Sequence, residues 1–475
     1  MSIRKVHFIV PPSKGKLIDR IFGCNYAFFI QQNIFMLYPA TILKENGFNV
    51  EVTDAPVDGL KRMEDIIRVK ADAYCFYSNF LSREIDLKAA SVITSSLDRV
   101  PVIFMGSDPT CFPENYVVDK NYYVIRGEPE LTLLRLLSEI EKVEKIPGVS
   151  WMTKNKQIVH NPTAGIIENL DLLPHPDRLL CKNPFKYLNP KFKKQPCTTI
   201  LTSRGCPYRC IYCVPNSLSF AREIEYKRFF GKKPPVKFRS PEDVITEFIE
   251  IKDQKYKAVQ IVDDEFTLDK RRVLKICEGI KDLDLEIGCL ARADHLADEE
   301  LIRALSKAGV THIDIGVESF CQKILDHIRK DLDIKAFYKA YSLLKKYGIE
   351  PELNVLLGAS PLENKETIEY TLREIRRLDP EILHVQVCTP FPGTEFYEQA
   401  KRQGWIITGD YVPVDPMNEA IISYPHLSKK ELEKYLLLFK RKHYLRPKYL
   451  IKQLLKTQSL RQLKNKILTM YRMFK

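Results

Sequence analysis

The sequence predicts an α/β protein: a doubly wound parallel sheet, then a barrel of strand–helix units, then a helical tail. Three observations carry this. Residues 1–150 alternate short apolar runs with helical stretches. Residues 197–410 hold six strand-then-helix units, each of roughly 30–50 residues. Beyond residue 428 apolar residues recur at helical spacing among lysines and arginines. At 475 residues the chain is long for one domain and suggests two or three.

In the first region the strand-like runs are 5–10, 49–53, 73–77, 100–105 and 122–125, with helical stretches near 38–45, 60–69, 83–96 and 130–143. Sheets of this kind bind ligands beyond the carboxyl ends of their strands. Gly106 and Gly127 each directly follow a strand, where glycine lets backbone approach a ligand or simply turn. His7 lies inside the first strand and reads as a core or edge histidine. Residues 146–196 form a connector: 149–160 reads as a hairpin, and Leu172-Leu-Pro-His-Pro-Asp-Arg178 marks the passage to the next region. There the strands are expected at 198–203, 258–263, 285–290, 311–317, 352–358 and 382–388. Reactive groups of α/β barrels gather at the carboxyl ends of such strands.

The chemistry is concentrated in Gly205-Cys206-Pro-Tyr-Arg-Cys210-Ile-Tyr212-Cys213, a C-x3-C-x2-C loop. With 12 cysteines in the chain, this spacing arises by chance roughly one time in a hundred. Three thiolates on one loop can hold three irons of a cubane cluster and leave the fourth open, whereas clusters that only carry electrons usually have four protein ligands. A structural zinc site wants four ligands, commonly two C-x2-C pairs. No second pair exists, since the flanking cysteines are Cys197 and Cys277. The other nine cysteines are scattered singly and read as buried thiols.

The loop resembles the signature of the radical S-adenosylmethionine (SAM) superfamily, C-x3-C-x-aromatic-C, with Tyr212 at the aromatic position. The resemblance implies a partial (β/α)6, TIM-type barrel and a [4Fe-4S] cluster on Cys206, Cys210 and Cys213. It further implies that the open iron chelates SAM, which one electron then splits into methionine and a 5′-deoxyadenosyl radical. It places Tyr212 near the adenine and calls for an electron donor of the flavodoxin or ferredoxin type.

Each strand end adds a candidate. Val262-Asp263-Asp264-Glu265-Phe266 stands where the superfamily contacts the SAM amino group. Carboxylates suit an ammonium through charge-assisted hydrogen bonds; a solvated loop or a helix N-cap is the rival reading, preferred for Glu265. Arg292, in Leu290-Ala-Arg292-Ala-Asp294, could pair with the SAM carboxylate or sit in a structural ion pair. Glu318 closes the apolar run Ile313-Asp-Ile-Gly-Val-Glu-Ser319 and should face the barrel mouth, because an unpartnered buried carboxylate is costly. By resemblance Glu318 and Ser319 contact SAM. At the fifth strand end Gly358-Ala-Ser-Pro-Leu-Glu363 departs from the usual glycine-rich turn followed directly by an acid.

Residues 1–145 resemble the Rossmann-like cobalamin-binding domain that precedes many radical SAM barrels, on Met105-Gly106-Ser-Asp-Pro-Thr110 and Ile125-Arg-Gly127-Glu128-Pro. The resemblance implies corrinoid contacts at Gly106, Thr110, Gly127 and Glu128. The D-x-H-x-x-G motif of the methionine synthase type is missing, so cobalamin would bind without that lower ligand, or the domain keeps the fold without the cofactor. The expected domains are 1–145, a linker over 146–196, the barrel over 197–410 and a basic helical region over 411–475.

The net charge of +13 sits in the tail: residues 428–475 carry 15 Lys and Arg against Glu431 and Glu433. Leu460, Leu463, Ile467, Tyr471 and Phe474 mark an amphipathic helix there, after an earlier helix over about 429–443. It reads as a helical cap on the barrel or as peripheral contact with an anionic membrane surface. Nucleic acid is not an expected partner, because no basic stripe lies beside the site. No uninterrupted apolar run approaches the roughly 18 residues of a membrane span. The N-terminus lacks a secretory pattern and the cysteines look unpaired, which fits a reducing cytoplasm, anaerobic for an open-iron cluster.

The function expected by resemblance is cobalamin-dependent C-methylation of an unactivated carbon on a small or lipid-like substrate. A radical rearrangement or ring contraction is the alternative, and a non-catalytic SAM- or cobalamin-binding sensor the alternative of another class. Methylthiolation of transfer RNA would need a second cysteine set, which Cys24, Cys75 and Cys111 do not supply at spacings of 51 and 36.

Overall fold

The computed structural model describes residues 3–13, 15–97 and 99–455. They fall into two compact units, one within 3–207 and 214–287 and the other within 208–213 and 288–455.

In the first unit a seven-stranded sheet has the spatial order Asn49–Asp54, Lys5–Val10, Ala73–Tyr77, Val102–Met105, Tyr122–Ile125, Val149–Met152, Ile158–His160. The first five strands pair in parallel; the last two are the expected hairpin, added antiparallel. The sheet therefore runs on past residue 145 and takes in the hairpin. Alternation along each strand divides two cores. Val6, Phe8, Cys75, Tyr77, Ile103 and Met105 pack with the helices Ile34–Glu45 and Glu130–Ser138, while Ile9, Tyr74, Phe76, Val102 and Phe104 pack with Arg83–Ser96. Burial on both faces explains the almost continuous apolar strands. His7 belongs to this core: its Nε2 lies 2.7 Å from Thr53 Oγ1, and burial lowers its pKa to about 3.

Helix boundaries differ from the sequence pattern where local chemistry intervenes. The helix expected from 38 begins at Ile34 and carries Pro39 inside, a residue that reads as a breaker. The stretch 60–69 is a 3-10 turn over Met63–Arg68, and 130–143 breaks after Ser138 into a 3-10 turn over Ile140–Lys145.

The six expected barrel strands are present as Cys197–Ile200, Ala258–Ile261, Glu286–Leu290, Val310–Glu318, Glu350–Leu357 and Ile382–Val387. Within the first unit Cys197–Ile200 pairs in parallel with Ala258–Ile261, and Glu286 N–H donates to Lys257 O. Within the second, Ala291 N–H donates to Asp314 O, and Val310–Glu318, Glu350–Leu357 and Ile382–Val387 pair in parallel. Arg178, from the proline-rich connector, is wholly buried against the start of the barrel. Its guanidinium donates to Glu247 Oε1 at 2.5 Å, Thr198 Oγ1 at 2.9 Å and Thr199 O at 2.7 Å. Burial pushes the Glu247 carboxyl up, but Arg239 and Arg178 overcome this and hold it at about 2.

The helix Lys429–Tyr444 packs on the last barrel strand, with Leu383 N–H donating to Tyr444 Oη and that hydroxyl donating to Leu383 O. A further helix, Pro447–Leu455, follows. Several of the tail's cations are committed here: Arg446 and Lys448 pair with Asp379 at 2.6 and 3.3 Å, Lys452 with Glu381 at 3.0 Å, and the buried Lys440 ammonium donates to Asn418 Oδ1 at 2.8 Å. These helices are the expected barrel cap. The amphipathic stretch from Leu460 to Phe474 lies outside the described residues. Among the described residues no helix is long and apolar enough to cross a membrane.

Candidate active site

The cysteine loop leaves the first barrel strand through Ser203–Arg204, which pairs antiparallel with Lys237–Phe238. Gly205 opens it with φ +93°, a backbone region that favours glycine, and a Cβ there would sit 3.0 Å from Arg222 Nη1. Asn216 closes it as N-cap of the helix Ser217–Phe230, accepting from Ser219 N–H at 2.9 Å and donating through Nδ2 to Val262 O at 3.0 Å. Both ends return to one carboxylate. Gly205 N–H donates to Asp264 Oδ2 at 3.0 Å and Asn216 N–H to Asp264 Oδ1 at 2.7 Å. Burial raises the Asp264 carboxyl to about 6 against the lowering effect of these hydrogen bonds.

The two neighbours of Asp264 are also occupied. Asp263 is fully buried and accepts from Thr202 N–H at 2.6 Å, Thr202 Oγ1 at 2.5 Å and Ser203 Oγ at 2.6 Å. Burial raises its pKa, with Arg272 and those donors opposing. Glu265, expected in a solvated loop or at an N-cap, is buried and accepts from Thr267 N–H at 2.9 Å.

In the second unit the loop segment 208–213 is pinned at its middle: Ile211 N–H donates to Ile328 O at 3.1 Å and Phe396 N–H to Ile211 O at 2.9 Å. The Arg292 guanidinium lies 3.5 Å from the centroid of the Tyr208 ring. Its Nε donates to Asp294 Oδ1 at 3.0 Å and its Nη2 to Asp331 O at 2.9 Å. Tyr208 Oη is 2.8 Å from His295 Nε2. Arg292 thus has a structural ion-pair partner and a stacking partner drawn from the cysteine loop itself.

Glu318 is buried and has a partner: Lys330 Nζ donates to its Oε1 at 3.0 Å. Tyr212 hydrogen-bonds the same carboxylate; burial first and Glu318 second raise the pKa of its phenol well above the usual value. Glu318 adopts φ +61° at a register shift in its strand, a conformation a non-glycine residue holds only when its surroundings impose it. Gly316 makes room, since a Cβ there would lie 2.4 Å from Glu318 Oε1 and 2.8 Å from Lys330 Nζ. Ser319 is buried and its Oγ accepts from Cys321 N–H at 3.2 Å. Glu363 closes the fifth-strand turn by accepting from Gly358 N–H, and burial raises its carboxyl to about 8.

The three loop cysteines form no disulfide; Cys206 and Cys210 are half-buried and Cys213 is exposed. Six of the other nine are buried, and Cys24, Cys111 and Cys321 are half-buried rather than fully buried as expected. Burial raises the thiols of Cys197 and Cys277 to about 12. Among the described residues no group of three or more His, Cys, Asp or Glu is arranged to hold a metal ion, the loop thiols included. Their chemistry still fits a cluster. They share one anchored loop, Cys213 is exposed, and the charges of Lys330 and Arg292 lie within electrostatic reach of Cys210. Metal binding itself closes such sites, because its free energy is spent on folding the ligands around it.

The corrinoid candidates have a different environment from the one expected. Gly106 N-caps the short helix Ser107–Cys111, and a Cβ on it would meet Ser78 O at 2.2 Å, so its missing side chain admits neighbouring backbone. Gly127 faces the Glu225 side chain, and its N–H donates to Thr110 Oγ1 at 3.1 Å. Glu128 accepts from Arg204 Nη1 at 2.8 Å and from Ile167 N–H at 2.5 Å. The helix Ser217–Phe230 packs beside two of them: Glu225 faces Gly127, and Arg228 Nη2 donates to Thr110 O at 3.0 Å. A crevice at this end of the sheet lies over the first and second strands, lined by Val10, Arg20, Phe29, Asn33 and Asp54 among others. Asp54 Oδ1 and both polar atoms of the Asn33 side chain are buried there without a protein partner. Sequence reasoning missed Lys330 and Tyr208. Lys330 belongs to no motif, and its one outward sign is the flanking pair Arg329 and Asp331, both at positive φ.

Residues 200–375 match the radical SAM superfamily model. An uncharacterised methyltransferase of Pyrococcus horikoshii is 27% identical over 477 residues, covering 96% of this chain and 95% of the relative. The hopanoid C-3 methylase of Methylococcus capsulatus is 25% identical over 78% of this chain and 69% of its own. Among solved structures, the radical SAM methyltransferase TsrM of Kitasatospora setae, with cobalamin and a [4Fe-4S] cluster bound, superposes with a TM-score of 0.65 at 17% identity, over 92% of this chain and 85% of that one. Through residues 200–375, a little over a third of the chain, the similarity is to the radical SAM superfamily.

Proposed function

We propose that the chain is a methyltransferase that moves a methyl group to an unactivated carbon of a small or lipid-like substrate, with a corrinoid carried by the sheet of residues 1–145. The observation that carries this reading is the joining, in one chain, of the cysteine loop of residues 205–213 to an N-terminal sheet with a ligand-type crevice at its carboxyl end. The hopanoid methylase likeness favours the lipid-like side. When bound, the cluster and SAM supply a 5′-deoxyadenosyl radical and the corrinoid a transferable methyl group.

The chain's own residues hold and orient. Cys206, Cys210 and Cys213 ligate iron. Arg292, held over the Tyr208 ring, presents positive charge to the SAM carboxylate. Glu318 presents negative charge to the SAM ammonium and exchanges Lys330 for it, with Tyr212 and Ser319 beside it. Asp54 and Asn33, in the crevice cavity, take over from Gly106, Thr110, Gly127 and Glu128 as the seat of the corrinoid's polar groups. The electron comes from a flavodoxin- or ferredoxin-type donor. Contact with an anionic membrane surface is proposed for the tail beyond the cations already paired on the barrel.

The test is incubation of the anaerobically reconstituted chain, titrated with hydroxocobalamin, with SAM labelled in its methyl group. The corrinoid is expected to stay with the protein through gel filtration and the label to appear on carbon of an extracted substrate. A chain that keeps no corrinoid has lost the methylation reading and leaves a radical rearrangement in its place.

A further inference from the structure

Asp264 stands where the superfamily contacts the SAM amino group, yet its two carboxylate oxygens are turned to the two ends of the cysteine loop. Gly205 and Asn216 lie 59 and 48 residues before it, so this one side chain fastens a segment far away in sequence. The same knot includes Ser219 Oγ, which accepts from Gly205 N–H at 3.1 Å, and Asn216 Oδ1, which accepts from Ser219 N–H at 2.9 Å. Val262 O, two residues before Asp264, accepts from Asn216 Nδ2 at 3.0 Å.

We propose that Asp264 is a positioning residue for the cluster, the clasp that joins the two ends of the cysteine loop, and not a ligand of SAM. The proposal rests on the reading of residues 206–213 as the cluster loop. A loop of irregular backbone loses less entropy on taking up iron if its ends are already joined. The clasp does this without touching iron or SAM. An Asp264→Asn variant keeps the shape and turns one acceptor into a donor facing a backbone N–H, which opens one end of the loop.

The experiment compares the full-length wild-type chain, Asp264→Asn and Ser219→Ala after anaerobic reconstitution. It reads iron per chain, the rate of iron release to a chelator, and the electron paramagnetic resonance spectrum of the reduced cluster with and without SAM. Asp264→Asn is expected to release iron about tenfold faster, the equivalent of one lost hydrogen bond. Ser219→Ala should shift in the same direction by less, and the clusters that remain should keep their SAM-induced spectral change. If Asp264→Asn releases iron at the wild-type rate, the clasp is refuted; if it does so while losing the SAM-induced change, Asp264 is a SAM ligand. Should Asp264→Asn not fold by circular dichroism, Ser219→Ala decides, and a wild-type release rate there overturns the proposal. A wild-type chain that takes up no iron overturns the cluster reading itself, which is a distinct outcome.

Discussion

Two strand ends of the barrel carry acids next to the cysteine loop in their respective units, and they use them in opposite ways. After Ala258–Ile261, Asp263 and Asp264 are saturated by backbone N–H groups and hydroxyls of their own fold. At the end of Val310–Glu318, Glu318 holds a strained backbone and answers to a lysine and a tyrosine side chain. Backbone donors cannot leave without unfolding a turn, whereas a lysine ammonium can be exchanged for the ammonium of a ligand. A carboxylate at a strand end thus builds the site in one place and serves it in the other.

The comparison breaks first at Asp263. Asp263→Ala would strip the acceptor from Thr202 N–H and from the Thr202 and Ser203 hydroxyls and leave the Arg272 charge less compensated. The expected loss is about 3 kcal/mol or more of stability, read by denaturant unfolding of the cluster-free chain. A neutral result would free Asp263 for a ligand. Next, replacing Glu318→Gln together with Lys330→Gln removes both charges of a pair and leaves no buried ion alone. Isothermal titration should show SAM binding weaker by about tenfold or more, with a stability change smaller than that of Asp263→Ala. The smallest effect is expected of Gly316→Ala, whose methyl group would displace the Glu318 and Lys330 side-chain tips but no backbone. It should weaken SAM a few-fold and leave the unfolding midpoint close to wild type.

Acid offers a separate handle on the structural carboxylates. Glu247 is held at about 2 by Arg239 and Arg178. Its folded pKa lies below the unfolded one, so the stability it adds is fully present above the ordinary glutamate range. That contribution is lost as pH falls from about 4.3 through 2. Unfolding followed across that window should show the loss in wild type and a flatter profile in Glu247→Gln.

Most of the architecture was legible because apolar strands and amphipathic helices repeat with different periods. The six barrel strands and the first-sheet strands lie within a few residues of their expected positions. What the sequence could not show was partnership. Asp264 and Glu318 look alike as acids following apolar runs, and their roles diverge through Gly205, Asn216 and Lys330, which no spacing rule links to them. Gly106 and Gly127 read as ligand-facing glycines, but helix packing and a close carbonyl at Ser78 account for both. Arg178, in a proline-rich stretch that read as a linker, is one of the most buried side chains of its unit.

The central claim, that this loop carries a cluster which splits SAM, is tested most directly by anaerobic incubation of the reconstituted chain with SAM and a strong reductant. Wild type should form 5′-deoxyadenosine and Cys210→Ala none, with the variant's circular dichroism unchanged. A wild-type chain holding a full complement of cluster iron and yielding no 5′-deoxyadenosine would contradict the account.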